Sequence, residues 1–484
     1  MRLLAPVVCV SLALTSCGGS SAPGHRAAAA GAVTSAVKKP NVIFVLTDDL
    51  ATNLLRYMPH VQQLQQHGMT FDNYFVTDSL CCPSRSTTFT GKVPHNTGVF
   101  TNGGSDGGYA TFNAKGNQNQ TYATALSKAG YRTAMMGKYL NGYQPSDPVP
   151  PGWNEWDVAG NGYPEFNYAL NENGTTVQYG HRPKDYLTDV LSGKGDDFIT
   201  KSTKAGKPFA MEIATFAPHA PSTPAPRDAA SFPGLKAPRG PAFNEADMSD
   251  KPAWLKDRPP LGAKQLNEID TKFRKRVQSV QAVDRMIGRL QDSLKRNGAD
   301  RDTYLFFTSD NGFHMGEHRL QPGKQTIFDT DIHVPLVVSG PGVRPGSTHH
   351  GLAQNTDLCP TFESLGGVPV PPSVDGTSLL PALRGNDSSP RRDAVLIEHH
   401  GPNNLPDDPD LQTKASGNPP SYEAIRTAHE VYAEYADGER EYYDLRTDPN
   451  ELNNTVQQLT PQRLAQLRAT LNKLKRCKGA NCHA

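Results

Sequence analysis

Two apolar runs, far apart in the chain, each end in a pair of oxygen-bearing side chains. The run at 41–47 (NVIFVLT) passes into Asp48-Asp49, and the run at 304–308 (YLFFT) passes into Ser309-Asp310-Asn311-Gly312. Apolar runs of this length, with no polar alternation, predict central parallel strands covered on both faces. Open α/β sheets bind ligands beyond the carboxyl ends of such strands. Taken alone, either pair is equally well explained as a helix cap beside a solvated neighbour. Two pairs at the same kind of edge point instead to a shared metal site. They constrain the chain to an α/β fold with a mixed, mostly parallel sheet flanked by helices.

Between these runs lies the stretch 81–91, CCPSRSTTFTG. Pro83 near its start and Gly91 at its end predict a short helix, with Gly91 just past the last turn. Cys81 then stands at the helix N-terminus, where free backbone N–H groups favour an anion. Arg85 follows one turn later on the same face. By itself this is also the pattern of a small buried cysteine beside a surface arginine.

Further strands are expected at 131–136, delivering Gly137-Lys138, and at 209–214, ending in the loop Ala217-Pro218-His219-Ala220-Pro221. Residues 54–67, 122–129, 185–202 and 356–365 read as helices, and 71–76 as a strand. The strongest helix spans 264–297. There Phe273, Val277, Val280, Val283, Ile287, Leu290 and Leu294 recur at three- and four-residue steps, which marks a core-packing helix with a solvated basic face. Lys324 falls in a loop ahead of a strand at 334–338. The aromatics Trp153, Trp156, Tyr163, Phe166 and Tyr168, in turn-rich 144–185, suit a substrate cleft or packing equally. Beyond about residue 395 an Asp437-Gly438 turn joins alternating strands, and 460–475 is an amphipathic helix. Residues 40–395 are therefore assigned to a catalytic domain and 396–484 to a small antiparallel α+β subdomain.

Charge nearly cancels, with 49 Lys+Arg against 48 Asp+Glu, so nothing favours a nucleic-acid partner. Arg2 and the apolar stretch Leu3 to Leu14 form an export signal too short to span a bilayer. It ends LTSC at Cys17, which resembles a bacterial lipobox and places a lipid on Cys17; a plain secretory signal is the alternative. Residues 1–17 are read as this lipoprotein signal and 18–39 as a flexible tether. The protein is then exported, either lipid-anchored at the cell surface or periplasmic side, or secreted. Of the seven cysteines, Cys477 and Cys482 are close enough for a small disulfide loop in an exported protein. Cys82 and Cys359 read as buried or unpaired, which leaves Cys81 for chemistry.

Together these residues resemble the sulfatase family over almost all of 40–484. The motifs are LTDD at 46–49, C-x-P-S-R with its T-G tail at 81–91, Gly137-Lys138, Ala217-Pro218-His219, TSDNG at 308–312, and Lys324 ahead of Val334-Pro335. The stretches CCP at 81–83, GKYLN at 137–141, PPGW at 150–153 and DYLTD at 185–189 resemble N-acetylglucosamine-6-sulfatases and heparan 6-O-endosulfatases. The resemblance implies an alkaline-phosphatase-like fold. The implied activity is hydrolysis of a sulfuric ester on a sulfated sugar of the N-acetylglucosamine-6-sulfate type. A phosphodiester or phosphonate monoester hydrolase, or a general arylsulfatase acting on aryl sulfates, is the alternative.

It further implies that a separate formylglycine-generating enzyme oxidises Cys81 to Cα-formylglycine. A thiolate attacking sulfur would leave a persistent thiosulfate. A hydrated aldehyde offers two hydroxyls, one to attack the ester and one to expel sulfate. Asp48, Asp49, Asp310, Asn311 and the residue-81 oxygen would hold the cation. Such hard donors select Ca²⁺, with Mg²⁺ as the alternative, over zinc. Arg85, Lys138 and Lys324 would offset charge around the transferred sulfonate, and His219, with Lys324, would donate to the leaving alcohol. The chain departs from the pattern at Leu140, where many sulfatases carry a histidine. Asn141, His181 and an outer water are the candidates for deprotonating the second hydroxyl.

Overall fold

The two apolar runs lie side by side as parallel strands, in register from Asn41 opposite Thr303 to Thr47 opposite Ser309. The computed structural model describes residues 39–386, 392–406 and 408–483. The expected signal at 1–17, its Cys17, and all of the 18–39 tether except Lys39 lie outside the described residues. No described helix is long and apolar enough to cross a membrane.

Five parallel strands form the centre of a ten-stranded sheet, in the spatial order Thr303–Ser309, Asn41–Thr47, Phe209–Ala214, Arg132–Lys138, Glu155–Ala159. Antiparallel partners extend it on both sides: Leu336–Ser339 beside Thr303–Ser309, and Ala169–Glu172 beside Glu155–Ala159. The first strand shows why its sequence lacks alternation. Val42, Phe44 and Leu46 enter one core cluster, Ile43 and Val45 the other, and all five are at most 2% exposed. Burying each such side chain stabilises the fold by roughly 1.5–3 kcal/mol.

Helices cover both faces. Pro59–His67, Leu187–Lys204 and Ala263–Arg296 pack on the Ile43 side, and Cys81–Thr90, Tyr122–Lys128 and Leu358–Leu365 on the Phe44 side. The single helix expected at 54–67 is instead a 3-10 turn, Thr52–Tyr57, followed by the α-helix Pro59–His67. Pro59 disfavours helical geometry in the residue before it, and Met58 sits at φ −121°, ψ 81°. The expected strand at 71–76 is two short pieces, Met69–Phe71 and Tyr74–Phe75, which belong to different sheets.

Val395–His399, Tyr422–Arg426, Glu430–Tyr435 and Arg440–Asp444 form a separate antiparallel sheet. The helix Pro461–Leu474 packs on one of its faces through Leu467, Leu471 and Leu474. Its other face, including Ile397, Ala424 and Val431, joins the core cluster that holds Phe44. Cys477 and Cys482 are disulfide-bonded, while Cys81, Cys82 and Cys359 are buried free thiols.

Candidate active site

Strand register sets the site. Thr47 and Ser309 are opposite one another, and Ala214 pairs with both Leu46 and Gly137, so four strands end at one level. The residues that follow therefore converge at one edge. Asp49 has φ 65°, a left-handed conformation that non-glycine residues seldom adopt and that Asp tolerates better than most. Its backbone N–H donates to Asp310 Oδ1 at 3.1 Å, and Asn311 Nδ2 donates to Asp49 Oδ1 at 2.7 Å. The helix Cys81–Thr90 starts against this edge and is closed by Gly91 at φ 68°. Ligand atoms of Asp48, Asp49, Cys81 and Asp310 all lie within 4.8 Å of one another, a buried cluster able to hold a metal ion.

Three buried cations surround it. Arg85 Nε donates to Asp310 Oδ2 at 2.8 Å and Nη1 to the Lys138 carbonyl at 2.8 Å, while Nη2 is buried with no hydrogen-bond partner, 4.0 Å from Asp48 Oδ1. Lys138 Nζ lies 2.6 Å from Asp48 Oδ2. It is delivered by Gly137, at φ 96°, where a Cβ would stand 2.0 Å from the Ala214 carbonyl oxygen, so only glycine fits that strand crossing. Lys324 Nζ contacts Asp49 Oδ1 at 2.6 Å, Asp410 Oδ1 at 2.7 Å and Cys81 Sγ at 2.9 Å. His219 Nδ1 donates to the Ala220 carbonyl at 2.8 Å, and its Nε2 lies 2.6 Å from Asp410 Oδ1.

Charge follows this packing. Burial disfavours the ammonium of Lys324, but Asp410 and Asp49 outweigh it and hold its pKa well above normal. For Lys138 the same contest is won by Asp48 and Cys81. His219 is raised, with Asp410 and Asp49 overcoming burial. The Cys81 thiol is pushed well up, first by burial and then by Asp310, Asp410 and Asp48. The anion-favouring helix start expected for Cys81 is thus overridden: burial first, and then the nearby carboxylates, disfavour a thiolate there.

Two participants were not expected. Asp410, 2% exposed on the loop after Val395–His399, adds a fourth buried carboxylate and bridges His219 to Lys324. Asn102 Nδ2 anchors its other oxygen at 2.8 Å. Arg276 is also buried, inside the long helix whose basic residues read as a solvated face; it donates to the backbone carbonyls of Asp49 and Pro218. Burial lowers its pKa to about 10. Leu140 packs in the apolar core, Asn141 donates weakly to Asp410 at 3.4 Å, and His181 is exposed beside Phe166.

A cleft of about 520 Å³ opens beside Lys138, lined from 102–104, 138–142, 144, 159–161, 163, 216, 405–406 and 408–409. None of its lining comes from 220–262. Of the five aromatics left open between cleft and packing, Tyr163 lines it, with its ring centroid 4.5 Å from that of His219. Trp156 and Tyr168 are core residues, Trp153 packs on Phe89 and Tyr122, and Phe166 packs on Tyr186.

A family model for sulfatases matches residues 40–368, more than half of the chain. The chain belongs to the sulfatase family. This sulfatase is accordingly a sulfuric ester hydrolase. A second model, for the C-terminal part of N-sulphoglucosamine sulphohydrolase, matches residues 316–477. The sulfatase is 34% identical to the N-acetylglucosamine-6-sulfatase of Capra hircus over 478 residues, covering 92% of this chain and 85% of that one. It is 35% identical to an extracellular sulfatase homologue of Drosophila melanogaster over 75% of this chain and 33% of that one. A solved structure in complex with its substrate D-glucosamine-2-N,6-O-disulfate matches with TM-score 0.74 at 25% identity, covering 91% and 98% of the two chains. The fold is thus the alkaline-phosphatase-like one that the resemblance implies.

Proposed function

We propose that this sulfatase removes the 6-sulfate of a glucosamine-type sugar, N-acetylglucosamine 6-sulfate above all, at the cluster around residue 81. One arrangement carries the reading: Cys81 Sγ lies 3.2 Å from Asp48 and 2.9 Å from Lys324, with Asp49, Asp310 and Asn311 completing the ring. The oxygen donors in that ring are hard ligands and fit Ca²⁺, with Mg²⁺ as the alternative. Asp48, Asp49, Asp310, Asn311 and the residue-81 side chain would hold the ion, which when bound supplies positive charge among these carboxylates. Formylglycine made from Cys81 by a formylglycine-generating enzyme would supply an oxygen nucleophile at the same place. The buried Arg85 Nη2, which has no hydrogen-bond partner, fits an added oxygen there.

Arg85, Lys138 and Lys324 bind the sulfonate, each kept charged by neighbouring carboxylates. His219 protonates the leaving alcohol. Both of its ring nitrogens are engaged, one by Ala220 and one by Asp410, so the leaving oxygen must take the place of Asp410 Oδ1 between His219 and Lys324. Export belongs to the same reading and is supported by the extracellular relative, while a lipid on Cys17 rests on the LTSC motif at 14–17.

Two measurements test it. The tryptic peptide holding residue 81, from enzyme matured in its host, should be about 18 Da lighter than the thiol form; thiol alone would defeat the enzyme mechanism. A panel of 6-sulfo-N-acetylglucosamine, 2-sulfo-uronate and sulfo-galactose units should be desulfated at the first. A phosphate diester hydrolysed faster than the sulfate ester of the same phenol would overturn the assignment.

A further inference from the structure

We infer that the cleft admits a leaving sugar with no second negative charge, so that singly sulfated, otherwise neutral units are selected over N-sulfated or carboxylated ones. This rests on the proposed glucosamine reading and narrows it. Among the described residues lining the cleft, Lys138 is the sole cation; it lies 2.6 Å from Asp48 and is already assigned to the transferred sulfonate, so it is not free for a second anion. The remaining polar lining is the neutral amides of Asn102, Asn141, Gln144 and Asn161, the tyrosines Tyr139 and Tyr163, and the carboxylate of Asp408. Asn141 Oδ1 is buried with no partner, an acceptor suited to a sugar hydroxyl or an amide N–H.

Asp408 does not move freely out of the way. Its Oδ1 accepts from Asn102 Nδ2 at 3.1 Å and the Asp410 backbone N–H at 2.9 Å, and its Oδ2 from Asn403 Nδ2 at 2.6 Å. Asp410 stands directly behind it on the same Asn102 amide. A second sulfate or carboxylate entering the cleft would shed water and meet the fixed Asp408 carboxylate with no free cation in the lining to pair with, the charge of Asp410 behind it being already offset by Lys324 and His219. An unpaired charge in the wrong substrate is one of the ways a site discriminates, because that substrate alone bears the desolvation cost.

The experiment compares kcat/KM at low salt for N-acetylglucosamine 6-sulfate and its N-sulfated counterpart, and in parallel for phenyl sulfates with a neutral or a carboxylate ring substituent. A preference for the singly charged member of at least about tenfold is expected in both pairs, falling in high salt and in Asp408→Asn. Equal turnover within the pairs, or a preference unchanged by Asp408→Asn, would overturn the inference. If neither glucosamine unit is cleaved but the phenyl sulfates are, the glucosamine reading fails and the phenyl pair alone decides the charge selection.

Discussion

Asp310 and Asp410 are both buried carboxylates that touch the cations of one site, yet they arrive there differently. Asp310 is the first residue after a central strand, and its position follows from the Thr47–Ser309 register. Asp410 rides on an irregular loop between two strands of the smaller sheet, where no periodicity marks it. Strand-end residues are placed by backbone pairing, whereas the loop residue is placed by side-chain partners: His219, Lys324 and Asn102. The first kind of placement follows from backbone register alone. The second depends on charges that must already be assembled.

That contrast can be broken or sharpened by substitution. The largest effect belongs to Cys81→Ala, which should lower turnover by at least about 10⁴-fold while leaving thermal unfolding nearly unchanged, since a small buried side chain is only shortened. Retained turnover would remove residue 81 from the chemistry. Asp310→Ala follows, with kcat down about 10³-fold and metal content, measured on purified protein, reduced; a variant that keeps both its ion and its rate would show that strand-end placement carries no function here. Gly137→Ala tests backbone placement without touching a charge. Its Cβ collides with the Ala214 carbonyl, so stability should fall by about 3 kcal/mol and kcat by about 10²-fold through displaced Lys138.

Asp410→Asn should cost less, about 10- to 100-fold, and more for alkyl sulfates than for an aryl sulfate with a good leaving group, because it disturbs the His219 proton donor. Equal losses for both substrates would assign Asp410 to simple packing. Smallest is the pair Cys477→Ser and Cys482→Ser. Opening a loop of five-residue separation should reduce unfolding free energy by at most about 2 kcal/mol in urea titration, with unchanged kcat/KM.

Much of the fold is written locally. The strand at 41–47 is apolar at every position from Val42 to Leu46 because its odd and even residues serve different cores, and the helix at 263–296 repeats its apolar residues at 3.6-residue spacing. Both are readable because burial alone selects those residues. Arg276 was hidden by the same logic: on a basic helix one arginine looks like its solvated neighbours, and only the packed position of that turn sends it to the Asp49 and Pro218 carbonyls. The break at Met58 turns on a single proline within an otherwise helical pattern.

By itself, the sequence determined the parallel sheet, the short helix that begins at Cys81, and the acidic strand ends, since each is encoded by neighbours within a few residues. Tertiary structure decided the rest. The inclusion of Asp410 and Arg276, the engagement of both His219 nitrogens, the burial of Leu140, and a cleft with one committed cation are long-range facts. They arise because burial makes an unpaired charge costly, so each buried group is fixed by whichever partner the folded chain brings within reach.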